Sequence, residues 1–450
     1  MRVLLATHFF PPGHLGGTEV LTLGLAKSLT ESGCEVQVIC NEDWESAEGY
    51  QILETEDVYQ GVPVKRLRYN WTKSPDVFRY LYQNPEVYRY FQKVLKEYQP
   101  DILHITSLYS LTASIIQAAS ELGIPVVLTA TDFWFVCAKN TLLRNDGSLC
   151  PGQDDPWECT KCLMAGTKAY DGVQKVLPEK MARSLLLGMG HFPWITNQPG
   201  FRGMLGNWQE RFAYQNEMLR KADLVVTASK FLRDLYLKYQ VLEDRIIYSA
   251  YGLDMAWARG FTTKTGSKRL RIGFIGQVIP MKGVDLLLKA VQSLGWESPI
   301  EVKIYGDLQK NPEYGKELVA LKGNDERISF LGTFDNSKMG EVMLEIDVLV
   351  VPSSWYDFPL VVSSALATRT PVIATDLPGM NELVEHEKNG LLFARNDWKA
   401  LAAQIKRLVD EQDLLLRLKE GIKPVKTVVE MSDEYQAIYA RTAKRQDRSV

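Results

Sequence analysis

The chain has 450 residues, 46% apolar and 24% charged, with a net charge of -3 and a pI near 6.1. That balance is ordinary for a soluble globular protein and argues against nucleic acid as its main partner. No apolar run approaches the roughly 20 residues that cross a bilayer, and the length suggests two domains. The N-terminus, MRVLLATHFFPPG, has one Arg and too short an apolar run for a secretion signal. It reads as a first β-strand of a cytoplasmic protein.

In chain order, the first half alternates strand and helix patterns. RVLLAT is a strand, GGTEVLTLGLAKSLTES has apolar residues at helical spacing, and Gly33 follows as a stop. EVQVIC and VPVKRLRY are further strands, and PEVYRYFQKVLKEY is an amphipathic helix. DILHIT, SLTASIIQAASELG and IPVVLTAT continue as strand, helix and strand, with His104 facing a cleft or the core. Strands separated by helices imply parallel βαβ units.

From about 132 to 211 the rhythm breaks. This region reads as an insertion with an irregular run, LLLGMGHFPWITNQPGFRGMLGNW. That run is rich in Phe, Trp, Leu and Met, and fits either a membrane surface or a cover over a ligand cleft. The insertion also holds Cys137, Cys150, Cys159 and Cys162, ending in C-x-x-C. Four thiols in that order suit a structural zinc, with free thiols and disulfides as the alternatives. Cys34 and Cys40 read as core thiols.

The βα rhythm resumes with ERFAYQNEMLRKADLVVTAS and KFLRDLYLKYQ. RGFTTKTGSKR is polar and patternless, the best linker candidate. A second βα array follows, from LRIGFIG through DVLVVPSS to a helical, charged tail beginning at Trp398. The predicted class is α/β, with two doubly wound Rossmann-like domains facing a central cleft. The expected division is 1–260, 268–425, and a C-terminal helix over 426–450 that packs back toward the first domain.

Three loops carry chemistry. In FPPGHLGGTEV, Gly16 and Gly17 stand between a strand and a helix, where backbone N–H groups can approach an anion or sugar. The alternative there is a plain βα turn. The dinucleotide fingerprint is incomplete, which disfavours a nicotinamide enzyme. In FIGQVIPMKGVDLLLKA, Gln277 and Lys282 precede a helix, and a Lys there suits a diphosphate. In VPSSWYDFPLVVSSALATRTPVIATDLPGMNELVEHEKNGLLF, Asp357 and Glu382 are carboxylates placed to accept from sugar hydroxyls. Asp357 could instead cap the helix beginning near Pro359.

In this order and at these spacings, the three motifs resemble glycosyltransferase family 4, with the GT-B architecture, over nearly the whole chain. The segments 213–236, 246–254 and 303–334 resemble that family as well. The resemblance implies a retaining, metal-independent transfer of a sugar from a UDP- or GDP-linked donor to a glycan or lipid-linked acceptor. The implied setting is surface polysaccharide or glycoconjugate assembly, with peripheral membrane contact in view. It places Gly16, Gly17, Gln277, Lys282, Asp357, Ser364 and Glu382 at the donor. Asp357, Lys282, Thr131 and Asp132 are its catalytic positions.

This chain departs from the family pattern at four of these places. Gln277 stands where many relatives have Arg, and Ser364 where the ribose-binding Glu is expected. Thr131 stands where a His precedes the Asp, and Arg369 where a small Gly precedes the next strand. Ser364, Thr131 and Gln277 motivate a second reading, a degenerate protein of this fold that binds sugar, nucleotide or a partner without catalysis. An epimerase or phosphorylase is a weaker alternative, since no pyridoxal Lys stands out.

Overall fold

Eight strands form the first sheet: β1 (Arg2–Thr7), β2 (Glu35–Asp43), β3 (Leu53–Tyr59), β4 (Val62–Arg68), β5 (Ile102–Ile105), β6 (Val126–Ala130), β7 (Leu224–Thr227) and β8 (Ile246–Tyr248). Their order is β3-β4-β2-β1-β5-β6-β7-β8, and every neighbouring pair is parallel except β3 with β4. Strands covered on both faces need no polar alternation, which is why β1 and β6 read as continuous apolar runs. The computed structural model describes residues 1–153, 155–239, 241–355 and 358–446.

β3 was not visible in the sequence pattern, because LETEDVY is an exposed edge strand with little apolar content. It holds to β4 by charge: Lys65 donates to Glu54 at 2.8 Å, and Arg66 pairs with Asp57 at 2.8 Å. A charged edge of this kind also discourages pairing with other chains.

The chain divides into two compact units. The first comprises Met1–Ala228, Leu232–Tyr251 and the segment from Val428 onward. Here the helix Gly17–Glu31 buries Leu21, Leu25, Ala26 and Leu29. The helix Val428–Gln446 packs beside it, with the added Cβ of a substituted Gly24 falling 3.4 Å from Val428. His104 lies in the core. It is fully buried, with Nδ1 2.6 Å from the Tyr439 hydroxyl and Nε2 2.7 Å from the Thr129 hydroxyl. Burial pushes its pKa down to about 3.

The insertion is more ordered than its sequence suggests. It contains the helices Pro156–Met164, Lys168–Val176, Glu179–Met189 and Pro193–Thr196; the end of the third and the whole of the fourth lie inside the run read as irregular. Trp157, Met164, Tyr170, Ala182, Leu186 and Leu205 form a small core of their own. Glycine and proline punctuation hid these short helices from a periodicity reading.

The second unit comprises Ser229–Phe231 and Gly252–Thr427. Its six parallel strands are β9 (Leu270–Ile275), β10 (Ile300–Tyr305), β11 (Ile328–Gly332), β12 (Val348–Val351), β13 (Val372–Thr375) and β14 (Gly390–Phe393), in order β11-β10-β9-β12-β13-β14. Ile272, Ile304, Val348, Val350 and Ile373 pack against Leu287, Val291, Leu401 and Ile405. Segment 259–269, the linker candidate, packs into this unit. Lys264 donates to the Met343 carbonyl at 2.6 Å and to Thr370 Oγ1 at 2.5 Å. Arg271 forms a two-pronged pair with Asp347, at 3.0 and 2.8 Å.

Candidate functional site

In each sheet the chain winds outward and then returns, leaving a point where two strands depart in opposite directions. In the second unit that point lies between β9 and β12. Ligands of open α/β sheets bind beyond the carboxyl ends of such strands. The loop after β9 makes a short turn, Pro280–Lys282, then Gly283 with φ +70°. The helix Val284–Ser293 starts there; Gly283 offers no capping side chain, and the Tyr314 hydroxyl accepts from the Asp285 N–H at 3.1 Å.

The loops after β9 and β12 are fastened together. Ser354 N–H donates to the Met281 carbonyl at 2.9 Å, and Ser353 Oγ donates to the same oxygen at 3.2 Å. A Cβ at Gly283 would lie 2.1 Å from the Pro352 carbonyl oxygen, so the approach requires glycine. Lys282 Nζ stands 4.9 Å from the centre of the Trp355 ring, a cation–π contact. The Trp355 indole N–H is buried with no hydrogen-bond partner among the described residues. Arg395, after β14, donates to the Ser354 carbonyl at 2.7 Å. Trp355 and Arg395 were not singled out from sequence, since neither belongs to a spaced motif.

The other expected residues of this unit divide. Gln277 is exposed on the same loop. Ser364 lies in the first turns of the helix Leu360–Ala367, buried, with its hydroxyl donating to the Leu360 carbonyl at 3.3 Å. Asp357 lies outside the described residues. The Glu382 carboxylate accepts from the backbone N–H groups of Lys230 and Phe231 at 2.7 and 3.0 Å, residues of the same unit. Arg369 adopts φ +56° and donates to the Ile422 carbonyl at 2.7 Å. That left-handed backbone explains the glycine expected there. A cavity of about 530 Å³ lies beside the Gly283 turn, lined in part by Asp285, Lys289, Tyr314 and Ser354. Asp285 pairs with Lys289 and accepts from the Tyr314 hydroxyl, both at 2.8 Å.

In the first unit the reversal lies between β1 and β5. Gly16 caps the helix Gly17–Glu31 in an extended conformation. A Cβ there would sit 2.5 Å from Glu19 Oε2. Glu19 pairs with His8 Nε2 at 3.2 Å, and both side chains are mostly buried. Burial alone would raise the Glu19 carboxyl, but the hydrogen bond and charge of His8 hold it below the usual range. His8 Nδ1 is buried without a partner among the described residues. This pair was missed from sequence, although Glu19 stands three residues after Gly16. Thr131 Oγ1 donates to the Thr106 carbonyl at 2.7 Å. Asp132 accepts from Ser107 Oγ at 3.2 Å and from Trp134 N–H at 2.9 Å.

The four insertion cysteines are near enough to influence one another. Burial first, and then the other three thiols, push the Cys159 thiol up to about 12, with Arg211 opposing. None of the four is in a disulfide, and all are half-buried. Among the described residues no group of three or more His, Cys, Asp or Glu is arranged to hold a metal ion.

The model of the family described as Glycosyl transferases group 1 matches residues 261–424, and that of Glycosyltransferase Family 4 matches residues 15–148. The chain is 29% identical over 221 residues to a D-inositol 3-phosphate glycosyltransferase of Corynebacterium efficiens, covering 45% of this chain and 52% of the relative. It thus spans about half the length of the first curated relatives it matches. A Klebsiella pneumoniae relative, an uncharacterized 42.6 kDa protein in cps region, is 22% identical over 85% of this chain and 87% of its own. Among solved structures, a glycosyltransferase of Rickettsia africae and Anabaena Alr3699/HepE in complex with UDP each superpose with a TM-score of 0.65 at 16% identity. Both cover 98% of this chain, and 99% and 100% of their own. At that identity the likeness bears on the fold, which is that of two Rossmann-like domains.

Proposed function

This chain belongs to the family 4 glycosyltransferases of GT-B fold, and from that premise we propose that it moves a sugar from a UDP- or GDP-linked donor, with retention, to a glycan or lipid-linked acceptor. The observation that carries the reading is the Lys282–Gly283 turn at the β9/β12 reversal. It joins a cation to the start of the helix Val284–Ser293. A diphosphate leaving group gathers negative charge as the glycosidic bond breaks. An ammonium and helix N–H groups fixed in advance stabilise that charge most where it is greatest. The acceptor hydroxyl then attacks from the face the leaving group vacates.

In this reading Gly16 and Gly17 lie near the donor phosphate and the acceptor, Asp132 is a catalytic position, and no metal or cofactor takes part. The UDP held by the Anabaena structure supports a nucleotide in this role. Surface polysaccharide or glycoconjugate assembly, in the cytoplasm, is the proposed setting.

The Ser364 hydroxyl, engaged by the Leu360 carbonyl, favours a second reading. In that reading the protein binds nucleotide or sugar without turnover. A panel of UDP- and GDP-sugars, assayed for transfer and hydrolysis, separates the two. Binding by calorimetry without turnover selects the second reading. Absence of both binding and turnover removes the enzyme.

A further inference from the structure

Aromatic side chains gather where the strands of the first sheet end. β4, β2, β1, β5 and β6 are neighbours and parallel, so their carboxyl ends share one edge. Trp44 follows β2, Trp71 follows β4, His8 follows β1, Tyr109 follows β5 and Asp132 follows β6. The Trp44 ring centre lies 5.2 Å from that of Tyr109 and 5.7 Å from that of Trp71, and Tyr109 meets His8 edge-on at 6.4 Å. All four rings are half-buried, so part of each faces solvent. A Cβ at Gly203 would lie 2.9 Å from the Trp71 ring, so the insertion backs this row of aromatics.

Polar groups beside these rings are unspent. In the same unit the hydroxyls of Tyr69, Tyr214, Tyr236, Tyr435 and Tyr439 each meet a protein partner. The Tyr109 hydroxyl meets none among the described residues. Burial first, and then the Glu45 and Asp132 carboxylates, push the Tyr109 phenol up, so both carboxylates stand near it. Glu45 accepts from the Trp71 indole N–H at 3.3 Å, and Asp132 from Ser107 Oγ at 3.2 Å. Neither carboxylate is in an ion pair among the described residues. A pyranose has a C–H face and a rim of hydroxyls. Flat aromatic rings suit the face, while a free hydroxyl and two carboxylates suit the rim. The same two carboxylates, with no cation to neutralise them, repel an acidic ligand.

We propose that Trp44, Glu45, Tyr109 and Asp132 form a subsite for a pyranose that carries no acidic substituent. Taking that sugar as the acceptor rests on the transferase reading above; the subsite itself does not. The test is a titration of the full chain, followed by ligand-observed NMR. The probes are the methyl glycosides of glucose, galactose, mannose and N-acetylglucosamine, with glucuronic acid and galacturonic acid beside them. At least one neutral glycoside is expected to bind, and both acids at least about tenfold more weakly. Tyr109→Phe removes a hydroxyl that no protein group meets. It is expected to leave the melting temperature unchanged and to weaken glycoside binding about threefold to tenfold. Trp44→Ala is expected to weaken it at least about tenfold. No neutral glycoside bound, or the acids bound as tightly, overturns the proposal. Binding that Tyr109→Phe leaves unchanged also overturns it, by placing the sugar elsewhere. Calorimetry with UDP and GDP separates the two readings. Glycoside binding without nucleotide binding keeps the subsite and removes transfer, whereas nucleotide binding without glycoside binding overturns the subsite alone.

Discussion

The Lys282 ammonium rests over the Trp355 ring, 4.9 Å from its centre, so that the loops after β9 and β12 meet through a cation and an aromatic face. The contact is worth about 0.5–2 kcal/mol and holds the lysine at the start of a helix. Lys282→Ala should weaken UDP or GDP affinity at least about tenfold, since it removes a charge–phosphate interaction at a partly buried site. Affinity for the unphosphorylated nucleoside should be unchanged. Calorimetry with both ligands measures this, and equal loss for both would mean the lysine acts on loop structure and not on phosphate.

Gly283→Ala tests the fastening of the same loops. The added methyl would meet the Pro352 carbonyl oxygen at 2.1 Å, on a backbone already at φ +70°. Left-handed strain in a non-glycine residue costs on the order of 1–3 kcal/mol, and the clash forces the loop after β12 to shift. The variant should unfold at lower urea concentration and bind nucleotide less well. Unfolding at the wild-type midpoint would show that the loops are not held by this approach.

The sequence revealed what depends on periodicity and loop chemistry. Buried parallel strands such as β1, β6 and β12 are apolar on both faces, so their runs stand out. Gly16 and Lys282 were found because each lies between a strand and a helix. Side-chain pairings across distant loops escaped. His8 with Glu19 and Lys282 with Trp355 depend on which loops the fold brings together, and β3 escaped because exposed edge strands carry little apolar signal. The thiol spacing left zinc, free thiols and disulfides open, because spacing fixes neither the direction of each Sγ nor the distance between them.

Ser364→Ala separates ribose recognition from helix structure. The hydroxyl donates to the Leu360 carbonyl within its own helix, a local bond of small net value. Nucleotide affinity should therefore change by less than about threefold, well below the loss of a hydrogen bond left buried and unmet. A tenfold or larger loss by calorimetry would show that the hydroxyl turns from Leu360 to the ligand.

His104 makes stability depend on pH in a defined window. Burial lowers its pKa to about 3 in the folded protein, against an ordinary value of 6.5. Below 6.5 the unfolded chain takes up a proton that the folded chain refuses, so unfolding becomes easier as pH falls. The contribution is fully present above 6.5 and is lost progressively down to about 3, at up to about 1.4 kcal/mol per pH unit. His104→Gln retains groups that can meet Tyr439 and Thr129 but cannot titrate. Its unfolding free energy should be lower at neutral pH and fall less steeply through this window. Equal slopes in urea titrations between pH 4 and 6 would show that the imidazole is charged in the folded core.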